Sequence, residues 1–97
     1  MNYLFPGTPE PQALRQAQTL DIREPHERIG APEAILSIPN VPRSEWHTIP
    51  DRFKERPLVL CCAAGVRTRY CLDLLNHPED IHAWVGTIQE WVHTVSR

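Results

Sequence analysis

Long apolar runs are missing from this chain: no stretch approaches the roughly 20 residues that cross a bilayer, which speaks against an α-helical membrane span. The opening Met1-Asn2-Tyr3-Leu4-Phe5-Pro6 has no basic region leading into an apolar core, so no secretory signal is expected there. An excess of one charge is missing too. Ten Lys and Arg against twelve Asp and Glu leave a net charge of −2, no field that would gather nucleic acid or hold a membrane surface. Cysteine is scarce and odd in number, with three residues. Without a secretory context that argues against a disulfide scaffold and for reduced thiols in a cytoplasmic protein. The five histidines are scattered at 26, 47, 77, 82 and 93. No His/Cys spacing resembles a zinc site, and no metal is expected. Repeats, linkers and low-complexity tracts are absent as well.

What is present fits a single domain over residues 1–97, long enough for a real core with a modest margin. Ten prolines punctuate it. Thr8 before Pro9 reads as a helix start, with Ala13, Leu14 and Ala17 as the buried stripe of a short helix ending near Gln18. Residues 19–22 read as a strand, 26–30 as a single helical turn, and 34–38 as a second strand ended by Pro39. Ser44 to Phe53 reads as one or two helical turns interrupted at Pro50. Leu58 to Cys61 is nearly continuous in apolar residues, as a central parallel strand would be. Helix is expected over 67–76, with Cys71, Leu74 and Leu75 on one side and Tyr70 adjoining. Ile81 to Val85 reads as a strand. Thr87 to Val95 reads as a closing helix with Ile88, Trp91, Val92 and Val95 on its apolar face. Short strands alternating with helices predict an α/β fold: a small, mainly parallel β-sheet flanked by helices.

The chemistry-bearing run is Cys61-Cys62-Ala63-Ala64-Gly65-Val66-Arg67-Thr68. It follows a strand and opens a helix, so its backbone N–H groups are expected to converge where an anion sits. A cysteine at the floor of such a bowl is biased toward thiolate, the nucleophilic form. Gly65 permits a positive φ that turns amides inward. In parallel sheets the site lies beyond the carboxyl ends of the strands, where Cys62 falls. Cys61, one residue earlier, points to the opposite face and reads as packing, as does Cys71 inside the helix. Asp21, at a strand end, either anchors a turn or fixes the site. Trp84 and Trp91 read as core or rim. Arg52, Lys54 and Arg56 read as a solvated face or, with Arg69, as a local positive field for anions.

Four blocks in order resemble the rhodanese-like domain family of sulfurtransferases. Leu20-Asp21-Ile22-Arg23-Glu24-Pro25-His26-Glu27 is similar to its D-V-R-E-P-x-E segment, and Gly30 to Pro39 to its G-H-I-P-G-A-x-x-I-P. Cys62 to Thr68 matches the C-x-x-G-x-R-[ST] loop, and Gly86 to Trp91 is similar to G-G-I-x-A-W. Ala31, Glu33, Ala34 and Thr87 depart from the family at turns. Ala63 and Ala64 leave the loop mouth neutral where many thiosulfate-using members carry a basic residue.

The resemblance implies a sulfurtransferase that moves sulfane sulfur from a small anionic donor such as thiosulfate, through a Cys62 persulfide, to a thiol, protein or cyanide acceptor. It implies no metal and no organic cofactor. Cys62 is then the catalytic residue, and Ala63, Ala64, Gly65, Val66 and Arg67 the substrate loop, with Asp21, Arg23 and Thr68 in support. Arg67 either holds the loop rim or faces the departing anion. Nucleic acid and membrane partners are not expected. A rival count, Cys61-x5-Arg67-Thr68, fits the loop of cysteine-dependent phosphatases and arsenate reductases. A non-catalytic sulfur carrier or binding module is the remaining alternative.

Overall fold

The computed structural model of the chain describes residues 3–6, 17–53 and 57–95. A run that is apolar at every position must be covered on both faces. Such a run forms β3 (Leu58–Cys62), buried at all five positions. β2 (Gln18–Asp21) and β4 (Ile81–Thr87) flank it, and β1 (Tyr3–Leu4) lies beyond β4. Every neighbouring pair is parallel. The expected α/β fold is observed, with a sheet parallel throughout its four strands. The edge strand β1 was not expected, because two residues carry no readable periodicity.

Alternation along β3 divides the core in two. Leu58, Leu60 and Cys62 enter one cluster with Leu20, Leu72, Cys71 and Ile81. Val59 and Cys61 enter the other with Ile35, Trp84, Ile88 and Trp91. The first is covered by α3 (Val66–Leu74), α2 (Ile49–Arg52) and the 3-10 segment Arg43–Thr48. The second is covered by α1 (Glu33–Leu36) and α4 (Ile88–Val95). The apolar face expected for α4 is the face that packs. Trp84 and Trp91 are core residues, 5.0 Å apart between ring centroids, and Trp91 Nε1 donates to Thr19 Oγ1 at 2.9 Å.

Several expectations need correction. The strand expected over 34–38 is the helix α1 instead. Pro32 precedes it in an extended conformation that suits a helix start. Arg28 Nη2 then donates to the carbonyls of Ile35, Leu36 and Ile38 at 2.9, 3.0 and 2.8 Å, satisfying the helix end. Among the described residues the outer edge of β2 is met at Asn40, where Asp21 N–H donates to Pro39 O and Val41 N–H to Asp21 O. Gln18, expected to end a helix, opens β2; residues 8–16 of that expected helix lie outside the described residues, as do Lys54 and Arg56. Pro50 sits in the first turn of α2 and starts that helix rather than interrupting one. The stripe of α3 is rotated from the expected one. Thr68, Cys71 and Leu72 are buried while Leu74 is 51% exposed. The cause is the Thr68 hydroxyl, which reaches Gly65 O at 2.9 Å and Trp84 O at 3.1 Å and draws that face inward.

Candidate active site

The site forms where the ladder between β3 and β4 slips. Leu60 pairs with Ala83, but Cys62 pairs with Thr87, so β4 carries extra residues opposite the cysteine. The bulge lifts Val85 and Gly86 toward the loop, and Trp84 Nε1 donating to Thr87 O at 2.8 Å holds its shape. Gly65 meets it with φ +84°; a Cβ there would lie 2.7 Å from Val85 Cα and 2.8 Å from Gly86 N. Only glycine satisfies both the positive φ and the close approach. The turn aims Gly65 N–H at Cys62 Sγ, 3.0 Å away, with Thr68 Oγ1 at 4.0 Å.

The sulfur is deeper than an open bowl would place it. Cys62 is 1% exposed and shares its cluster with Cys71, while Ala63 and Ala64 immediately beyond are exposed. Of the amides expected to converge over 63–67, that of Gly65 is brought into hydrogen-bond contact with Sγ. The Cys62 sulfur therefore lies at the base of the loop, beneath a rim of Ala63, Ala64 and Val66, the last 72% exposed.

Arg67 is paired with a carboxylate, while its guanidinium stays within electrostatic reach of Cys62. Its Nη1 and Nη2 donate to Glu27 Oε2 and Oε1 at 2.6 and 2.7 Å, a bidentate pair. The guanidinium, with desolvation opposing, holds the Glu27 carboxyl down at about 2. Glu27 Oε2 also accepts Glu24 N–H at 2.7 Å. Arg23 extends the network: its Nη1 donates to Glu27 O at 3.3 Å, and its Nε and Nη2 donate to Asp21 at 3.0 and 3.1 Å. Asp21 is fully buried and also accepts Arg23 N–H at 3.0 Å. Arg28 Nε lies 3.2 Å from Asp21 Oδ2 as an ion pair, without hydrogen-bond alignment. Asp21 and Arg23 thus support the loop through Glu27. Glu27 carries the strut, and sequence reasoning placed it only as a letter in the D-I-R-E-P-H-E block.

Burial disfavours the thiolate form of the other two cysteines. Burial, with Asp21 and Cys62 nearby, pushes the Cys61 thiol well up. Burial first and Cys62 second push Cys71 up to about 12. Cys61 lies on the opposite face of the sheet, so the loop counted from Cys61 to Arg67 does not enclose its sulfur. The Arg52 side chain pairs with Glu45 at 3.2 Å on the surface. Among the described residues no group of three or more His, Cys, Asp or Glu is placed to hold a metal ion. No helix among them is long and apolar enough to cross a membrane.

No family model matches the chain, and no curated protein does. Solved structures do. A rhodanese-related protein from Thermoplasma volcanium superposes with a TM-score of 0.58 at 27% identity, over 86% of this chain and 83% of that one. The human single-domain sulfurtransferase TSTD1 gives a TM-score of 0.57 at 20% identity, over 84% and 85%. An NAD-dependent persulfide reductase from A. fulgidus gives 0.55 at 21% identity over 93% of this chain, which spans 16% of that longer one.

Proposed function

On the premise of a rhodanese-like fold, we propose that this chain is a sulfurtransferase in which Cys62 accepts a sulfane sulfur and passes it on. The Cys62 thiolate attacks the outer sulfur of a donor such as thiosulfate. The donor S–S bond breaks, sulfite leaves with the electron pair, and Cys62 carries a persulfide. A thiol or cyanide then attacks the outer sulfur of that persulfide and regenerates the thiolate. The observation that carries the reading is the Gly65 N–H donating to Cys62 Sγ at 3.0 Å, at the start of α3 and the carboxyl end of the central strand. A donor so placed, with the helix start behind it, stabilises negative charge on the sulfur without reorganising. The Arg67–Glu27 pair acts as a strut that keeps the loop closed around that geometry. Two of the proteins with like fold are named for sulfur transfer and persulfide reduction, and the proposal extends that chemistry to Cys62.

The test is turnover. With thiosulfate in excess and cyanide as acceptor, the protein is expected to release thiocyanate and sulfite in equal amounts. Cys62→Ser is expected to release neither, while Cys71→Ala keeps the activity. Turnover that persists in Cys62→Ser would overturn the proposal.

A further inference from the structure

We infer that the preferred sulfur donor is an organic persulfide on an uncharged, apolar carrier, rather than a dianion such as thiosulfate. The inference rests on the reading of Cys62 as the sulfur-accepting nucleophile and adds the class of donor. The first observation is how charge is disposed around the loop. Arg67, the cation of the loop itself, has both terminal nitrogens taken by Glu27. Arg23 is taken by Asp21 and by Glu27 O. Arg28 lies against Asp21 and caps the carbonyls of α1. Against these guanidiniums stand Asp21, Glu27 and Glu24. The Glu24 carboxyl lies close enough to Arg67 to act on it electrostatically, and its Oε2 is buried with no hydrogen-bond partner. The next cation along, Arg69, lies over the Tyr3 ring at 5.6 Å and beside Asp73. A dianion would have to take Arg67 from Glu27, and its leaving group would depart past carboxylates.

The second observation is the rim. Ala63 and Ala64 are exposed, Val66 is 72% exposed, and Tyr70, one helical turn beyond Val66, is 50% exposed. Cys62 lies beneath them at 1% exposure. A slender terminal sulfur reaches down to Sγ while its carrier stays outside against apolar side chains. The step balances. The Cys62 thiolate attacks the terminal sulfur of R–S–SH and forms a new S–S bond. The old S–S bond breaks with its electron pair on the carrier, RS− leaves, and the proton stays with Cys62–S–SH.

The experiment compares donors that differ in charge alone: propyl persulfide, and the persulfide of equal length ending in a carboxylate. Sulfur loading of Cys62 is followed by peptide mass at low and high salt. The donor on the uncharged carrier is expected to load about tenfold faster at low salt, with the gap narrowing as salt screens the extra carboxylate. Ala63→Lys, at an exposed position, is expected to close or reverse the gap and to raise loading from thiosulfate. Val66→Ser is expected to slow the uncharged donor severalfold. Equal rates for the two persulfides, or faster loading from the charged one, would overturn the donor assignment and leave Cys62 as acceptor intact. Loading of Cys62 by none of the donors would overturn both.

Discussion

At the scale of single residues, Gly65 and Glu27 shape the site as much as Cys62 does. Gly65→Ala puts a Cβ into the backbone of Val85 at a φ of +84°. The left-handed backbone alone costs about 1–2 kcal/mol, and the clash adds to it. The variant is expected to unfold at lower urea and to lose sulfur loading, because its amide no longer faces Sγ. Unchanged stability and loading would show that the close approach does not govern the loop. The cysteine and the glycine were legible because both fall inside one contiguous motif. The strut was not: Glu27 and Arg67 are 40 residues apart, and nothing local to either names the other. The depth of Cys62 was hidden for a related reason, since the residues it packs among, Leu20, Cys71 and Ile81, come from other elements.

At the scale of elements, β2, β3, β4 and the two long helices were readable from the sequence pattern, the two-residue β1 was not, and the remaining failures share one cause. Residues 34–38 look like a strand because Ile35 and Ile38 are β-branched. Residues 33–36 are instead helical, and Arg28, from another segment, satisfies the carbonyls at that end. In α3 the polar Thr68 is buried, its hydroxyl donating to the nearby Gly65 carbonyl and the distant Trp84 carbonyl, and apolar periodicity places it outward. The start of α4 did carry a local signal. Thr87-x-x-Glu90 forms a capping box, with Thr87 N–H donating to Glu90 Oε1 at 2.7 Å and Glu90 N–H to Thr87 Oγ1 at 3.1 Å. Thr87→Ala is expected to destabilise the protein by about 1 kcal/mol, read as a shift in the urea midpoint, while Cys62 still loads. Because Thr87 also pairs with Cys62 in the ladder, loss of loading with stability intact would instead give Thr87 a direct part in the site.

At the scale of the whole molecule, the buried thiols and the Glu27–Arg67 strut set a pH window. Glu27 titrates at about 2 in the folded chain against an ordinary 4.5. A lowered carboxyl stabilises the fold fully above pH 4.5 and loses that contribution as pH falls toward 2. The full shift corresponds to about 3 kcal/mol, and solvent screening of a quarter-exposed pair reduces it to about 1–2 kcal/mol. Cys71 runs the other way, at about 12 against 9.0. Its contribution is complete below pH 9 and fades as pH rises above it. Burial lowers the half-buried His82 imidazole from its ordinary 6.5, so its contribution fades as pH falls below about 6.5. Stability measured by denaturant is therefore expected to be level between about pH 7 and 9 and to fall on either side. Glu27→Gln is expected to make the acid arm shallower below pH 4.5, leaving the part that His82 contributes and the alkaline arm in place; an acid arm equally steep below pH 4.5 in that variant would show that other carboxylates set it.

The proposed chemistry reduces to one sulfur atom, and the mass of the cysteine peptides after exposure to a sulfane donor tests it most directly. One added sulfur is expected on Cys62, released by cyanide, with none on Cys61 or Cys71 and none anywhere in Cys62→Ser. Added sulfur on Cys61 or Cys71, or the same gain in Cys62→Ser, would contradict the assignment.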